Sequence, residues 1–254
     1  MYPVISIGGA EIPTFTVAAI VGVCSFILIA LYRISKLENS AKEAFYILPK
    51  LFIALGIGFA GAIFFDALFK IEENGGLKLS GMTFYGGIIT GAAVLSVLLT
   101  VFKKNTRLGA EEWLNLLTVP FLVFHFCGRI GCFLGGCCYG KETDGIWGLT
   151  FPDNPTANIF HHGNKVYPTQ LYEAAAIAVI ALSISKTKHA FAAYCFAYPA
   201  ARFLIEFLRG DDRGGYLWIF SPAQVISLVI IACAAIFITV KVIRKNRGKT
   251  SEKT

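Results

Sequence analysis

The sequence predicts an all-α integral membrane protein with about seven transmembrane helices, the number that its membrane-length apolar blocks allow. Of its 254 residues, 56% are hydrophobic and only 15% are charged. A water-soluble domain carries about a quarter charged residues, so this chain has too few charges to cover a water-facing surface. Its apolar residues also fall into blocks of the ~20 residues needed to cross the hydrocarbon of a membrane.

Seven apolar blocks follow one another along the chain. They cover residues 13–32, 51–69, 82–102, 113–134, 167–185, 189–208 and 220–240. The first three blocks and the last are strongly apolar. The fourth, fifth and sixth contain charged or strongly polar side chains, which are rare within membrane helices and usually functional when they occur.

The basic residues predict an N-terminus outside the cytoplasm and a C-terminus inside. Lys and Arg are concentrated in cytoplasmic loops of membrane proteins. With the N-terminus outside, 15 of the 23 basic residues fall in cytoplasmic segments and six in external segments. The net charge of +7 therefore indicates anchoring to anionic lipid headgroups. Nucleic-acid binding is not expected, because the basic residues are scattered over separate segments.

No linker or internal repeat divides the chain. Residues 1–244 are expected to form a single polytopic membrane domain, and residues 245–254 a disordered basic cytoplasmic tail. The longest connection, residues 134–166, lies outside in this orientation, between the fourth and fifth helices. Because it contains Trp147 and Phe151, an ordered external cap is predicted rather than a disordered loop.

Charged residues inside the fourth predicted helix indicate a functional site, because a charge in the bilayer costs at least ~2.5 kcal/mol. Arg129 follows a largely apolar run and is flanked by Gly128 and Gly131. Small residues let another helix or a lipid headgroup approach closely. A functional role is therefore the favoured interpretation, and a structural salt bridge to Glu173 or Glu206 is the alternative.

A second group of charges lies on the sixth predicted helix. Arg202, Glu206 and Arg209 are spaced by four and three residues, so they share one helix face. We expect Glu206 to hold one arginine while the other faces an anion, since the guanidinium fork matches phosphate oxygens. A self-contained ion network is the alternative. At the start of the fifth helix, Gln170 and Glu173 either reach the same cavity or cap the helix.

Four of the seven cysteines are close in the sequence, at Cys127, Cys132, Cys137 and Cys138. A zinc site would use C-x2-C pairs, with two residues between the cysteines, together with a second pair or histidines. The spacing here does not match, so no metal site is predicted. Cys127 and Cys132 are interpreted as small buried residues, whereas a disulfide is chemically allowed for Cys137 or Cys138. His161 and His162 are interpreted as loop residues rather than metal ligands.

Four motifs occur in a fixed order along most of the chain. They are residues 81–87 (GMTFYGG), 128–140 (GRIGCFLGGCCYG), 167–173 (YPTQLYE) and 202–209 (RFLIEFLR). Together they resemble the prolipoprotein diacylglyceryl transferases of bacteria. The resemblance implies transfer of the diacylglyceryl group of phosphatidylglycerol to the lipobox cysteine of a prolipoprotein signal peptide, with glycerol phosphate released. It also implies a multi-pass protein of the bacterial cytoplasmic membrane, an active site toward the outer face and no cofactor.

The resemblance also assigns roles to residues. Arg129 and Arg202 match the family's two essential arginines, and Glu206 matches their acidic partner. Gly140 matches the glycine that closes the second motif, and Phe15 falls where the family often has tyrosine. The candidate substrate-binding residues are Glu206, Arg209, Gly86, Gly87, Gly128, Gly131, Cys132, Gly140, Gln170 and Glu173.

The chain departs from the family in the residues that would deprotonate the thiol. Tyr85 stands where the family has a histidine proposed as the base, and Cys132 stands where the family has asparagine. A tyrosine, with an ordinary pKa near 10, is a poor base unless a cation lowers that pKa. The candidates are Tyr85, His125 one turn before Arg129, or no base at all, because a positive field favours the thiolate.

Two further functions stay open. The chain could be a related phospholipid-dependent transferase with a different acceptor, which the changes at Tyr85 and at Cys137 and Cys138 would signal. It could also be a non-enzymatic membrane protein that binds an anion or lipid, or a transporter. Transporters often contain duplicated halves, and the sequence has no such repeat.

Overall fold

The computed structural model describes residues 4–7, 10–69, 76, 83–103, 106–151, 153, 163–210 and 220–251. Within them the chain forms seven α-helices and two short antiparallel sheets of two strands each. Contacts divide the chain into two compact units. One unit comprises Met1–Phe26 with Thr118–Thr254, and the other is Ile27–Leu117.

The helices follow the apolar blocks of the sequence. They are α1 (Thr14–Ile34), α2 (Ser40–Phe69), α3 (Phe84–Val101), α4 (Ala110–Gly135), α5 (Thr169–Ile184), α6 (Ala190–Glu206) and α7 (Pro222–Ser251). Among the described residues, α1, α2, α4 and α7 are long and apolar enough to cross a membrane. An all-helical membrane protein is therefore supported, and the count of seven crossings stays a prediction.

Two helices extend beyond their predicted blocks by more than two turns. α2 begins at Ser40 rather than at residue 51, because Glu43 is buried and its carboxylate accepts hydrogen bonds from Thr106 and from the Arg107 backbone N–H at 2.5 and 3.0 Å. α7 continues to Ser251, although the sequence suggests a disordered tail from residue 245. Lysine and arginine favour helical backbone, whereas Asn246 and Gly248 do not, and a disordered tail stays a prediction.

The two sheets are absent from the sequence-based prediction. β1 (Val4–Ile7) pairs with β2 (Ala10–Pro13) in a register that places Ile7 opposite Ala10. β3 (Leu149–Thr150) pairs with β4 (Lys165–Val166). For the first sheet a signal was present, since Gly-Gly between two short runs is a typical hairpin sequence.

Within the larger unit, α5 and α6 pack around an apolar core. Its buried members are Leu122, Ile177, Ile180, Ile184, Ala190 and Tyr198. α4 also approaches α1 closely through a glycine, because a Cβ on Gly131 would lie 2.8 Å from the Cβ of Ala18. Gly131 therefore permits helix packing, a structural reason for a glycine that the sequence assigned to substrate binding.

Within residues 27–117, α2 and α3 pack through small residues. A Cβ on Gly86 would lie 2.6 Å from the Cβ of Phe65, and one on Gly87 would lie 3.1 Å from the Cβ of Ala62. The side chain of Thr83, just before α3, donates to Asp66 on α2 at 3.2 Å. Gly86 and Gly87 thus serve the contact between α2 and α3, and their predicted contact with substrate stays a prediction.

Candidate active site

Arg129 forms a buried ion pair with Glu173. Its Nη2 atom lies 3.0 Å from Oε1 of Glu173, and the two residues are 6% and 0% exposed. The pair joins α4 to α5. Of the two partners that the sequence allowed for Arg129, the structure selects Glu173.

Glu173 is also held from α6. The hydroxyl of Tyr198 donates to Glu173 Oε1 at 2.7 Å. On α4, Nε2 of His125 lies 3.8 Å from that oxygen, and the His125 ring meets the Tyr198 ring edge-on with 4.8 Å between centroids. Because three helices converge on one carboxylate, its position and that of the Arg129 guanidinium are tightly defined.

The second ion pair lies within α6. Arg202 Nη1 is 2.5 Å from Glu206 Oε2, and Arg209 Nε is 3.9 Å from the same oxygen. Arg202 is 1% exposed and Arg209 is also buried. Glu206 therefore contacts both arginines, with Arg202 much closer, which refines the expectation that it would hold only one.

Ser221 completes the surroundings of Glu206 and escaped the sequence-based interpretation. Its Oγ donates to Glu206 Oε1 at 2.8 Å. Ser221 also starts α7, since the Gln224 N–H donates to Ser221 Oγ at 3.3 Å and the Ser221 N–H donates to Gln224 Oε1 at 3.0 Å. This is a capping box, with Pro222 favoured at the first helical position. The motif Ser-Pro-Ala-Gln was the signal that could have located it.

The two ion pairs are connected along one face of α6. Tyr198, Arg202 and Glu206 follow each other at intervals of four residues, so they lie one above another on that helix. Tyr198 contacts Glu173, and the charges of Arg129 and Arg202 both act on that carboxylate. Among the described residues, three guanidinium groups thus accompany two carboxylates, and this excess of positive charge suits an anionic ligand.

Gly140 packs between the start of α5 and the end of α6. Its N–H donates to the Tyr167 carbonyl, and the next N–H, that of Lys141, donates to the Leu208 carbonyl, both at 2.8 Å. A Cβ on Gly140 would lie 2.6 Å from both the Leu208 oxygen and the Tyr167 Cβ. Only glycine fits this position without displacement of neighbouring backbone.

The start of α5 holds the segment that follows α4 through buried side chains. Gln170 Nε2 donates to the Cys137 carbonyl at 2.7 Å, and Thr169 Oγ1 donates to the Cys138 carbonyl at 2.8 Å. Both Thr169 and Gln170 are fully buried. Gln170 therefore fixes the backbone beyond α4, a role that differs from either alternative considered for it.

The cysteines following Arg129 come together in space. The Sγ atoms of Cys132, Cys137 and Cys138 all lie within 4.8 Å of one another. None of the seven cysteines, all of which the structure describes, takes part in a disulfide. The hydrogen bond with Cys132 lowers the pKa of the Cys137 thiol, but the hydrogen bond with Cys138 and burial outweigh it and raise that pKa to about 12. The prediction of no metal site is not tested by this proximity. The turn after α4 nevertheless brings together three thiols that their spacing in the sequence did not indicate.

Other candidates fall outside the ion-pair network or outside the described side chains. Tyr85 lies in the first turn of α3, but its side chain is outside the described part of the structure, as are His161 and His162. A Cβ on Gly128 would meet nothing within 4 Å, so the helix surface there is open. The catalytic role of Tyr85 stays a prediction.

Comparison with known proteins defines the family. The family model described as prolipoprotein diacylglyceryl transferase matches residues 3–240. The chain belongs to this family. The diacylglyceryl transferase motifs at 128–140, 167–173 and 202–209 supply both buried ion pairs and the Gly140 contact.

Individual diacylglyceryl transferases share substantial identity with the chain. It is 35% identical to phosphatidylglycerol–prolipoprotein diacylglyceryl transferase of Clostridium tetani, over 66% of this chain and 67% of that protein. It is 32% identical to phosphatidylglycerol–prolipoprotein diacylglyceryl transferase 2 of Clostridium perfringens, over 68% and 67%. With the Dehalococcoides mccartyi protein of the same name, identity is 28% over 98% of this chain and 95% of that protein.

Proposed function

We propose that the protein transfers the diacylglyceryl group of phosphatidylglycerol to the lipobox cysteine of prolipoproteins. The products are a thioether-linked diacylglyceryl protein and glycerol phosphate. The observation that carries this proposal is the pair of buried arginines, Arg129 and Arg202, each held by its own carboxylate, in a chain that belongs to this transferase family.

The reaction requires stabilisation of a phosphate leaving group. The acceptor thiolate attacks the glyceryl carbon that carries the phosphate ester, so that a carbon–sulfur bond forms while the carbon–oxygen bond breaks. The electron pair of the broken bond leaves with the phosphate oxygen, and the thiol proton passes to a base or to water. Cations positioned at the developing charge are worth several kcal/mol in such reactions.

Arg129 and Arg202 are the groups proposed to supply those cations. A guanidinium carries five N–H donors, so an arginine bound to one carboxylate keeps donors for a phosphate. Glu173 and Glu206 orient the two guanidinium planes through charge-assisted contacts and offset the cost of burying them. Arg209, 3.9 Å from Glu206, adds the third positive charge.

The site is proposed to lie toward the outer face of the bacterial cytoplasmic membrane. We propose seven crossings with the N-terminus outside, so that the external segment after α4 and the start of α5 face the same side as the acceptor. In support, Phe151 in that segment is buried against Phe133, with 5.7 Å between ring centroids. This contact favours an ordered cap between α4 and α5.

We propose that Tyr85, which occupies the family's histidine position, deprotonates the acceptor thiol. His125 is the second candidate, and its buried contacts with Glu173 and Tyr198 favour a role in positioning that carboxylate. A different acceptor remains the second candidate function, because Tyr85 and Cys132 both depart from the family pattern.

A two-substrate assay tests the proposal. Purified protein would be incubated with phosphatidylglycerol and a lipobox peptide, and the peptide would be analysed by mass spectrometry while glycerol phosphate is measured in parallel. We expect both the thioether adduct and glycerol phosphate, and neither with a peptide whose cysteine is replaced by serine. Glycerol phosphate release without peptide modification would favour another acceptor, and neither product would contradict the proposed function.

A further inference from the structure

The turn at the end of α4 brings cysteines of the chain close together. The Cys137 N–H donates to the Cys132 carbonyl at 3.2 Å, and the Gly136 N–H donates to the Phe133 carbonyl at 3.3 Å. With Gly136 at φ 74°, these two bonds form a Schellman motif. The motif closes the helix and brings Cys137 back beside Cys132.

Cys138 joins these two residues because the chain turns again. Its φ is 65°, in the left-handed region that non-glycine residues rarely adopt. Thr169 and Gln170 hold the carbonyls of Cys138 and Cys137 at 2.8 and 2.7 Å. Such backbone geometry persists only where surrounding contacts enforce it, and here those contacts come from fully buried residues of α5.

The resulting group has the dimensions of a metal site. Its three Sγ atoms lie within 4.8 Å of one another. Around a tetrahedral Zn²⁺ with Zn–S bonds of about 2.3 Å, the sulfurs would be about 3.8 Å apart. Side-chain adjustments of about 1 Å would therefore close the group around an ion, within the reach of ordinary cysteine rotation.

One cationic side chain interacts with two of the three thiols. Arg129 precedes Cys132 by three residues on α4, and its charge interacts with both Cys132 and Cys138. Three thiolates with a divalent ion carry one net negative charge, which this guanidinium would partly balance. Thiolates select soft or borderline metals over Mg²⁺ and Ca²⁺, so the ligand class is a thiophilic cation.

We propose that Cys132, Cys137 and Cys138 bind one thiophilic metal ion, for which Zn²⁺ is the test ion. Within the described part of the chain the ligand group consists of these three thiols. A four-coordinate ion would therefore need one further ligand from outside this group. Cys132 follows Arg129 by one helical turn on α4, and Gln170, which holds the Cys137 carbonyl, precedes Glu173 by one turn on α5.

Metal retention by the full-length protein tests the inference. The protein would be purified in detergent with reductant, loaded with Zn²⁺ and gel-filtered, and its zinc measured by elemental analysis. The wild type is expected to retain roughly one ion per chain. Cys132→Ser, Cys137→Ser and Cys138→Ser should each weaken binding by more than about tenfold, because one of three thiolate ligands is lost. The matched control Cys195→Ser, in α6, should retain zinc like the wild type.

A second readout does not depend on how the variants fold. In the wild type, bound Zn²⁺ should protect Cys132, Cys137 and Cys138 from alkylation, while Cys24 and Cys233 label at an unchanged rate. Absence of retained zinc, equal retention in the serine variants, or absence of protection would overturn the inference. A disulfide within the group in protein taken from membranes without reductant would also overturn it. Neither measurement involves phospholipid, so the result is independent of the transfer reaction.

Discussion

Nη2 of Arg129 and Oε1 of Glu173 lie 3.0 Å apart, and the Glu173 side chain is almost completely shielded from solvent. The same carboxylate oxygen accepts the hydroxyl of Tyr198. A buried ion pair contributes little net stability by itself, but loss of one partner leaves an uncompensated charge. Glu173 is therefore expected to control both the stability of the helix packing and the orientation of Arg129.

Replacement of Glu173 by glutamine is expected to destabilise the protein by about 3–5 kcal/mol, because Arg129 would stay buried without its counter-charge. Thermal unfolding in detergent measures the effect. Glu38→Gln is the matched control, since its ion pair with Arg107 is exposed and such pairs contribute at most about 1 kcal/mol. Equal unfolding temperatures for the two variants would show that Glu173 does not compensate Arg129.

Alanine at Gly140 should destabilise the protein by about 1–3 kcal/mol, the usual cost of overpacking. Its Cβ would collide with the Leu208 oxygen and with Tyr167. Gly128→Ala provides the control, because a Cβ there meets nothing within 4 Å and alanine favours helix. Thermal unfolding should separate the two alanine variants. A Gly140→Ala protein as stable as the wild type would refute the close contact.

Tyr85→Phe is expected to slow transfer more than His125→Gln does. General base catalysis is typically worth 10²- to 10⁴-fold in rate, and Tyr85 occupies the family's histidine position. Steady-state rates across a pH series provide the measurement, and a tyrosine base should make activity rise into the alkaline range. Should Tyr85→Phe keep full activity and an unchanged pH profile, the thiol would ionise through the field of the arginines alone.

Reporter fusions test the orientation on which the outer-face site depends. Fusions after Lys42, Arg107 and Lys188 should report the cytoplasm, because basic loops are retained there. Fusions at Asp153 and Asp212 should report the exterior. Expression of each fusion is checked by immunoblot, so that a silent reporter is not mistaken for a location. A cytoplasmic signal at Asp153 would place the cap and the site on the wrong side.

Hydropathy located the helices because a long apolar segment in a membrane forms a helix, which satisfies its own backbone hydrogen bonds. It placed the start of α2 too late because Lys42, Glu43 and Lys50 resemble a loop. Glu43 is in fact buried and hydrogen-bonded to Thr106 and Arg107. Such partners are distant in sequence, so hydropathy cannot detect them.

The charged part of the site was predictable because ionisable residues in a membrane are costly. Arg129, Arg202 and Glu206 stood out for that reason alone. Tyr198 did not, since it resembles any other aromatic residue of an apolar helix. Its contact with Glu173 depends on how α5 and α6 pack, which a single sequence does not specify.

The cysteine group was missed for a different reason. The spacing of these cysteines in the sequence resembles no common metal-binding motif. Their sulfur atoms come close together only because the chain turns after α4. Gly136 and Cys138 both have positive φ. The glycine was a recognisable helix stop, but the conformation of Cys138 is enforced by tertiary contacts.

The central claim is tested most directly by comparing the wild type with arginine variants. The measurement is the release of glycerol phosphate from phosphatidylglycerol in the presence of a lipobox peptide. Arg129→Ala and Arg202→Ala should each lose at least ~10²-fold in rate, the scale of removing a donor to a developing oxyanion. Arg129→Lys should also be poor, because a point charge lacks the bidentate fork. Arg107→Ala, at an exposed ion pair, should behave as wild type. Near wild-type release by Arg129→Ala or Arg202→Ala would contradict the proposal that these arginines stabilise the leaving phosphate.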